Sequence, residues 1–141
     1  MVNNIIYGIS NSIYNSFGKG YNIYTENVEQ GLSEPCFLIT LIKPLVKPQI
    51  MNHSIREYNF DIIYFPSNTL SKNLEMNNTA EMLVDALEFI VVNDSKVRGH
   101  KISYEIIDGV LHFFIKYNVL VTKVEEGDKM QDLNLQQELK R

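Results

Sequence analysis

Three histidines, one cysteine and three glutamates are the side chains of this chain best suited to chemistry. His53, His100 and His112 stand far apart on strand-like segments. No H-x-x-x-H or H-E-x-x-H spacing sets two of them on one helix face, so tertiary structure alone would have to assemble a metal site. Cys36 is the sole cysteine, which excludes an intramolecular disulfide. It opens an apolar run, where a buried, inert thiol is the plain reading. Glu26, Glu29 and Glu34 fall between Tyr24 and Pro35 with no base among them. Two of them could serve as an acid/base pair, but a turn-rich link fixes no mutual geometry. A solvated loop is the plain reading of these glutamates and a protein interface the functional one. Gly18-Lys19-Gly20 lacks the G-x-x-x-x-G-K-[ST] frame of a phosphate loop, and no G-x-S-x-G elbow occurs. The residue types therefore call for no cofactor, no metal and no catalytic residue. A small intracellular enzyme using Asp/Glu/His chemistry is the minor alternative.

The elements that would position these side chains are readable from periodicity. Ile6, Ile9, Ile13 and Phe17 recur at helical spacing, with Ile5 beside them, and predict a helix over 2–17 that Gly18-Lys19-Gly20 stops. A short strand is expected at 21–25. A second, at 36–46, opens as the continuous apolar run of a doubly covered strand. Pro44 and Pro48 demote its far end to an edge or a loop, since proline cannot donate to a ladder. A third strand, 53–65, alternates Tyr58, Phe60, Ile62 and Tyr64 against Glu57, Asn59 and Asp61. A polar, mobile-looking loop to Asn73 leads to a second helix at 74–89, whose dry face carries Met76, Ala80, Leu83 and Leu87. His100–Ile107 and Val110–Val124 form a long hairpin about Asp108-Gly109, a pair suited to the positive φ angles of a type I′ turn. The second arm is long enough to require a bend or a projecting tip.

These elements sum to an α+β fold: a mostly antiparallel twisted sheet, two amphipathic helices on one face, and a long C-terminal β-hairpin. One domain over 1–125 is expected, followed by a polar tail, 126–141, able to fray or to form a short helix. The chain has 141 residues and a net charge of -4, which argues against a broad nucleic-acid-gripping face. No signal peptide and no run of ~18 apolar residues is present, so a protein without a membrane span, made in the cytoplasm, is expected.

Three blocks carry a family likeness: YNIYTENVEQGLSEPCFLI from Tyr21, REYNFDIIYFP from Arg56, and RGHKISYEIIDGVLHFFIKYNVLV from Arg98. Their joint order resembles the phage tail terminator family, in the branch of contractile-tailed phages and phage-tail-like bacteriocins of low-GC Gram-positive bacteria. The likeness covers about residues 1–125, and no block is a catalytic motif. It implies a small α+β protein that closes into a ring, usually a hexamer. Such a ring caps the tail tube, stops its polymerisation, and meets the neck or collar and the sheath. DNA would at most pass through the lumen without specific binding. The expected location is the bacterial cytoplasm during assembly, then the head-proximal end of the tail. Another head–tail connector or a tail completion protein is the alternative. Ring closure needs heterologous contacts. The candidate interface residues are Glu26, Glu29 and Glu34 in the acidic link, Pro44 and Pro48, Asp108 and Gly109 at the hairpin tip, and Leu133 and Leu139 in the tail.

Overall fold

The computed structural model describes residues 1–26 and 31–123, together with the backbone of 133–137. Helix α1 spans Val2–Phe17 and buries Ile5, Gly8, Ile9 and Ile13. It ends where the glycine pattern predicts: Gly18 turns at φ 88° and its N–H donates to the Tyr14 carbonyl at 2.9 Å. Strands β1 (Asn22–Tyr24), β2 (Cys36–Leu41), β3 (Leu45–Pro48) and β4 (His53–Phe65) follow. Helix α2 covers Lys72–Leu87, then β5 (Phe89–Val92), β6 (Ser95–Ile107), β7 (Val110–Lys123) and β8 (Leu133–Gln137).

The strands form one sheet in the order β1-β2-β4-β7-β6-β5. β3 continues the line of β2 along β4, and β8 continues the line of β6 along β7. The β1–β2 pair is parallel and the other pairs are antiparallel. The α+β class and the antiparallel sheet are as the periodicity predicts.

Both helices close over one face of this sheet. From β4 the inward side chains are Tyr58, Phe60, Ile62 and Tyr64; from β7 they are Leu111, Phe113, Ile115, Tyr117, Val119 and Val121. Each such burial contributes ~1.5–3 kcal/mol, which makes this ladder the main source of stability. Phe17, Tyr21, Phe37 and Tyr64 pack edge-on or tilted at 4.9–6.2 Å between centroids where α1 meets the sheet. The end of α2 is pinned by two bonds: Tyr117 donates its hydroxyl to the Leu87 carbonyl at 2.6 Å, and Gly99 donates its N–H to Glu88 at 2.7 Å. Glycine is required at two of these crossings. A Cβ on Gly8 would sit 2.7 Å from the Val91 carbonyl, and one on Gly99 2.4 Å from Ile115 Cδ1.

Four differences from the sequence reading have physical causes. The expected strand 36–46 breaks after Leu41 and resumes at Leu45, because Pro44 interrupts the donor row. The second helix ends at Leu87, and Phe89–Val92 leaves as β5; a second turn with positive φ, Asn93 (52°) and Asp94 (67°), returns the chain into β6. The stretch read as a mobile loop is tied down by Glu75 of α2, which accepts bonds from the Ser67 N–H (3.0 Å), the Ser67 hydroxyl (2.9 Å) and Thr69 Oγ1 (3.5 Å). The tail is not helical where it is described: Leu133–Gln137 is a strand paired with Val119–Lys123. The predicted turn at Asp108 (54°) and Gly109 (76°) is present. The long hairpin bends through a bulge between His100 and Ser103, where Lys101 takes φ 54°.

Candidate functional site

The possible reactive side chains do not converge. His53 Nδ1 bonds Thr122 Oγ1 at 2.8 Å, and His112 Nδ1 pairs with Asp61 Oδ2, also at 2.8 Å. These pairs sit at opposite ends of the β4–β7 ladder, where His53 faces Thr122 and Ile63 faces His112. His100 lies across from Lys116 on β6. Among the described residues no group of three His, Cys, Asp or Glu is placed to hold a metal. Burial, with the charge of Glu34, pushes the Cys36 thiol up to about 11, so it stays protonated and unreactive near neutral pH.

The register places some of the candidate interface residues at the two ends of the sheet and others, Glu26 and Pro44, between the ends along its β2/β3 edge. Cys36 faces Phe65, and Tyr64 faces Leu111, which faces Ile106. Glu34 and the Asp108-Gly109 turn therefore share one end. Pro48 faces Ser54, Ser54 faces Val121, and Val121 faces Leu135 at the other end. Ser54 and Phe65 are eleven residues apart on β4, about 36 Å at a rise of ~3.3 Å per residue.

Along the open edge of β2, between the two ends, Glu26 lines a pocket of about 480 Å³ with Thr25, Thr40, Ile6, Leu38 and Ile63. The pocket lies beside Ile39–Leu41, which extend past the β1 pairing at Cys36–Leu38. Glu34, Asp108 and Gly109 are exposed. Pro48 at the second end and Pro44 nearer the middle are exposed at either side of Leu45-Val46-Lys47, and all four residues of β3 are exposed. Glu29 and Leu139 lie outside the described residues; Leu133 is described in backbone alone, opposite Lys123.

Between the ends, the sheet face away from the helices carries charge pairs that sequence reasoning missed. Glu57 bonds Lys47 at 2.9 Å and Lys116 at 3.4 Å. The Lys47 bond leads in holding its carboxyl below the ordinary range, with Lys116 assisting, against a burial that raises it. His112 also stacks on Phe114, with centroids 6.3 Å apart. The alternation of 57, 59 and 61 against 112 and 116 marks this face in the sequence, but partners 51 and 59 residues apart need the register to be seen. The arrangement is one of exposed apolar edge, paired charges and shallow pocket, which suits protein contact more than turnover.

A family model described as phage tail terminator protein matches residues 4–129. The chain belongs to the phage tail terminator family. The match runs from Asn4, within α1, through β7. A search of curated proteins returned no match. Tail terminators are structural components of the virion, and their partners are other tail proteins. Among the described residues no helix is long and apolar enough to cross a membrane.

Proposed function

We propose that this tail terminator assembles into a ring, a hexamer by the family resemblance, on the last layer of the tail tube. There it stops tube polymerisation and offers a surface to the neck or collar. In a contractile particle the same ring meets the top of the sheath. The observation that carries this reading is the exposed apolar stretch of β3 and its flanks. Ile42, Leu45, Val46, Ile50 and Met51 are all exposed within ten residues. An edge strand with that much apolar surface is an assembly liability unless a partner covers it. Its function then lies in contacts and not in a reaction, and DNA passes through the lumen without being gripped.

The experiment is deletion of the gene in its own phage or tail-like particle, with tail lengths measured by electron microscopy. Tails of uncontrolled length, or tails lacking heads or collars, are expected. Normal tails of uniform length would overturn the proposal.

A further inference from the structure

The sheet has two open edges that lie level with each other. β5 pairs β6 over 95–98 alone, so 103–107 of β6 has β7 on one side and, among the described residues, no strand on the other. β1 closes the opposite side of the sheet and pairs with β2 alone. One row of registered residues joins these edges: Ile23 faces Phe37, Phe37 faces Tyr64, Tyr64 faces Leu111, and Leu111 faces Ile106. Phe37, Tyr64 and Leu111 are fully buried, whereas Ile23 is half-buried and Ile106 is 38% exposed. A layer of the core therefore runs out into solvent at both sides. The free main-chain groups lie on the same row. The Asp108-Gly109 turn makes Ile107 and Val110 a hydrogen-bonded pair, and alternation then turns the N–H and C=O of Tyr104 and Ile106 away from β7. Asn22 donates its N–H to the Pro35 carbonyl on the β2 side, so Ile23 turns its own N–H and C=O away from β2. From 103 to 107 the β6 edge has no proline, lysine or bulge, the devices that keep an open edge from pairing.

We infer that β6 of one copy pairs antiparallel with β1 of the next, with Ile106 opposite Ile23. This deepens the ring reading above and rests on it, because the occupant is a second copy of this chain. Three matches identify that occupant. The two edges lie on one row, β1 and β6 run in opposite directions, and each presents an isoleucine on the helix-covered face. A copy turned about an axis along the strands keeps its level, its direction and its faces, so one rotation brings all three matches together. Adding a strand to an open edge supplies main-chain bonds, and the joined row carries the core from copy to copy. The two edges are different surfaces, so the contact is heterologous, and repeated heterologous contacts close into a ring or run on as a filament.

The test uses the full chain in assembled tails, oxidised after assembly. Asn22 and Ile107 come opposite each other one row beyond the isoleucines, as a pair with no main-chain bonds between them and side chains close enough for a disulfide. A chain carrying both Asn22→Cys and Ile107→Cys should give a ladder of linked multimers on a non-reducing gel, and reductant should collapse it. Each single variant should stay monomeric, since Cys36 is buried and takes no part. Ile106→Pro removes an N–H that β7 does not use, so its urea midpoint should stay near the parent's. Its incorporation into tails, read by quantitative mass spectrometry, should fall about tenfold. A dimer formed by Ile107→Cys alone would mean that β6 pairs with β6, and a link to another tail protein would name a different occupant; either result overturns the contact. So does full incorporation of the Ile106→Pro chain. Tails of normal length that hold the double variant unlinked would refute this contact and leave the ring reading standing. The deletion experiment decides that reading separately.

Discussion

Phe113 and Phe114 are neighbours in β7 and sit in different solvents. Phe113 is 0% exposed beneath the helices, while Phe114 is half-buried on the opposite face, stacked on His112. The two faces use the same strands for different ends. The covered face is apolar and continuous, and it sets the fold. The other face carries charge pairs whose energies are small and whose geometry is specific. Stability and assembly can therefore be altered separately, and the comparison should fail if they cannot.

The largest effect expected from this contrast is at the phenylalanines themselves. Phe113→Ala should cost about 3–5 kcal/mol in urea unfolding at constant m, as a cavity opens in a packed core. Phe114→Ala should cost about 1 kcal/mol, since a half-buried ring gives up less surface. Equal losses would mean that both faces are core.

The covered face should also resist enlargement. Gly99→Ala would drive a methyl against Ile115 Cδ1, with the Leu87 carbonyl 3.2 Å away, and should cost about 1–3 kcal/mol. Gly20 has open space where a Cβ would stand, so Gly20→Ala should stay within about 0.5 kcal/mol by the same measurement. A tolerant Gly99 would show that β6 shifts freely beneath α2.

How much of this was legible in the sequence depended on how local each cause is. β4 reads off at its observed bounds, His53–Phe65, because period-two alternation is strong there and Pro66 follows at once. Asp108-Gly109 reads as a turn because the pair itself sets the backbone. The equivalent turn at Asn93-Asp94 was hidden: Leu83 and Leu87 carry the helical spacing to the helix end, so the expected helix runs on to Phe89, into the start of β5. The proline-flanked edge of the candidate site was visible. The pairings of Asp61 with His112, and of Glu57 with Lys47 and Lys116, were not, because register brings them together. Leu133–Gln137 is strand through its pairing with β7, and its own residues give little sign of it.

Acid should separate the buried carboxylates from the exposed ones. Burial raises the Glu75 carboxyl, but hydrogen bonds from Tyr64 (2.5 Å), Ser67 and Thr69 outweigh it and hold the group below the ordinary glutamate value. A depressed folded value means that its stabilisation is complete above the unfolded value of ~4.3 and is lost as pH falls through the folded one. Glu75→Gln should cost about 1–3 kcal/mol at pH 7, and the gap to the parent should close towards pH 3. Glu57→Gln should show the same sign of pH dependence. A gap that widens in acid would reverse the assignment.

The smallest effect should come from a leucine that folding leaves outside. Leu70 is 104% exposed in the Pro66–Ser71 segment, while Leu83 is fully buried in α2. Leu70 removes no apolar surface from water, so Leu70→Ser should change stability by no more than about 0.5 kcal/mol. Leu83→Ala, by contrast, should cost about 2–5 kcal/mol. The segment owes its shape to Glu75 and not to Leu70, and Leu83 stands eight residues, about 12 Å, along α2 from Glu75, so both substitutions should be additive with Glu75→Gln. Urea unfolding of the paired variants measures this. A loss above ~1 kcal/mol at Leu70 would place that side chain in contact with the rest of the fold and redraw the boundary between the two solvents.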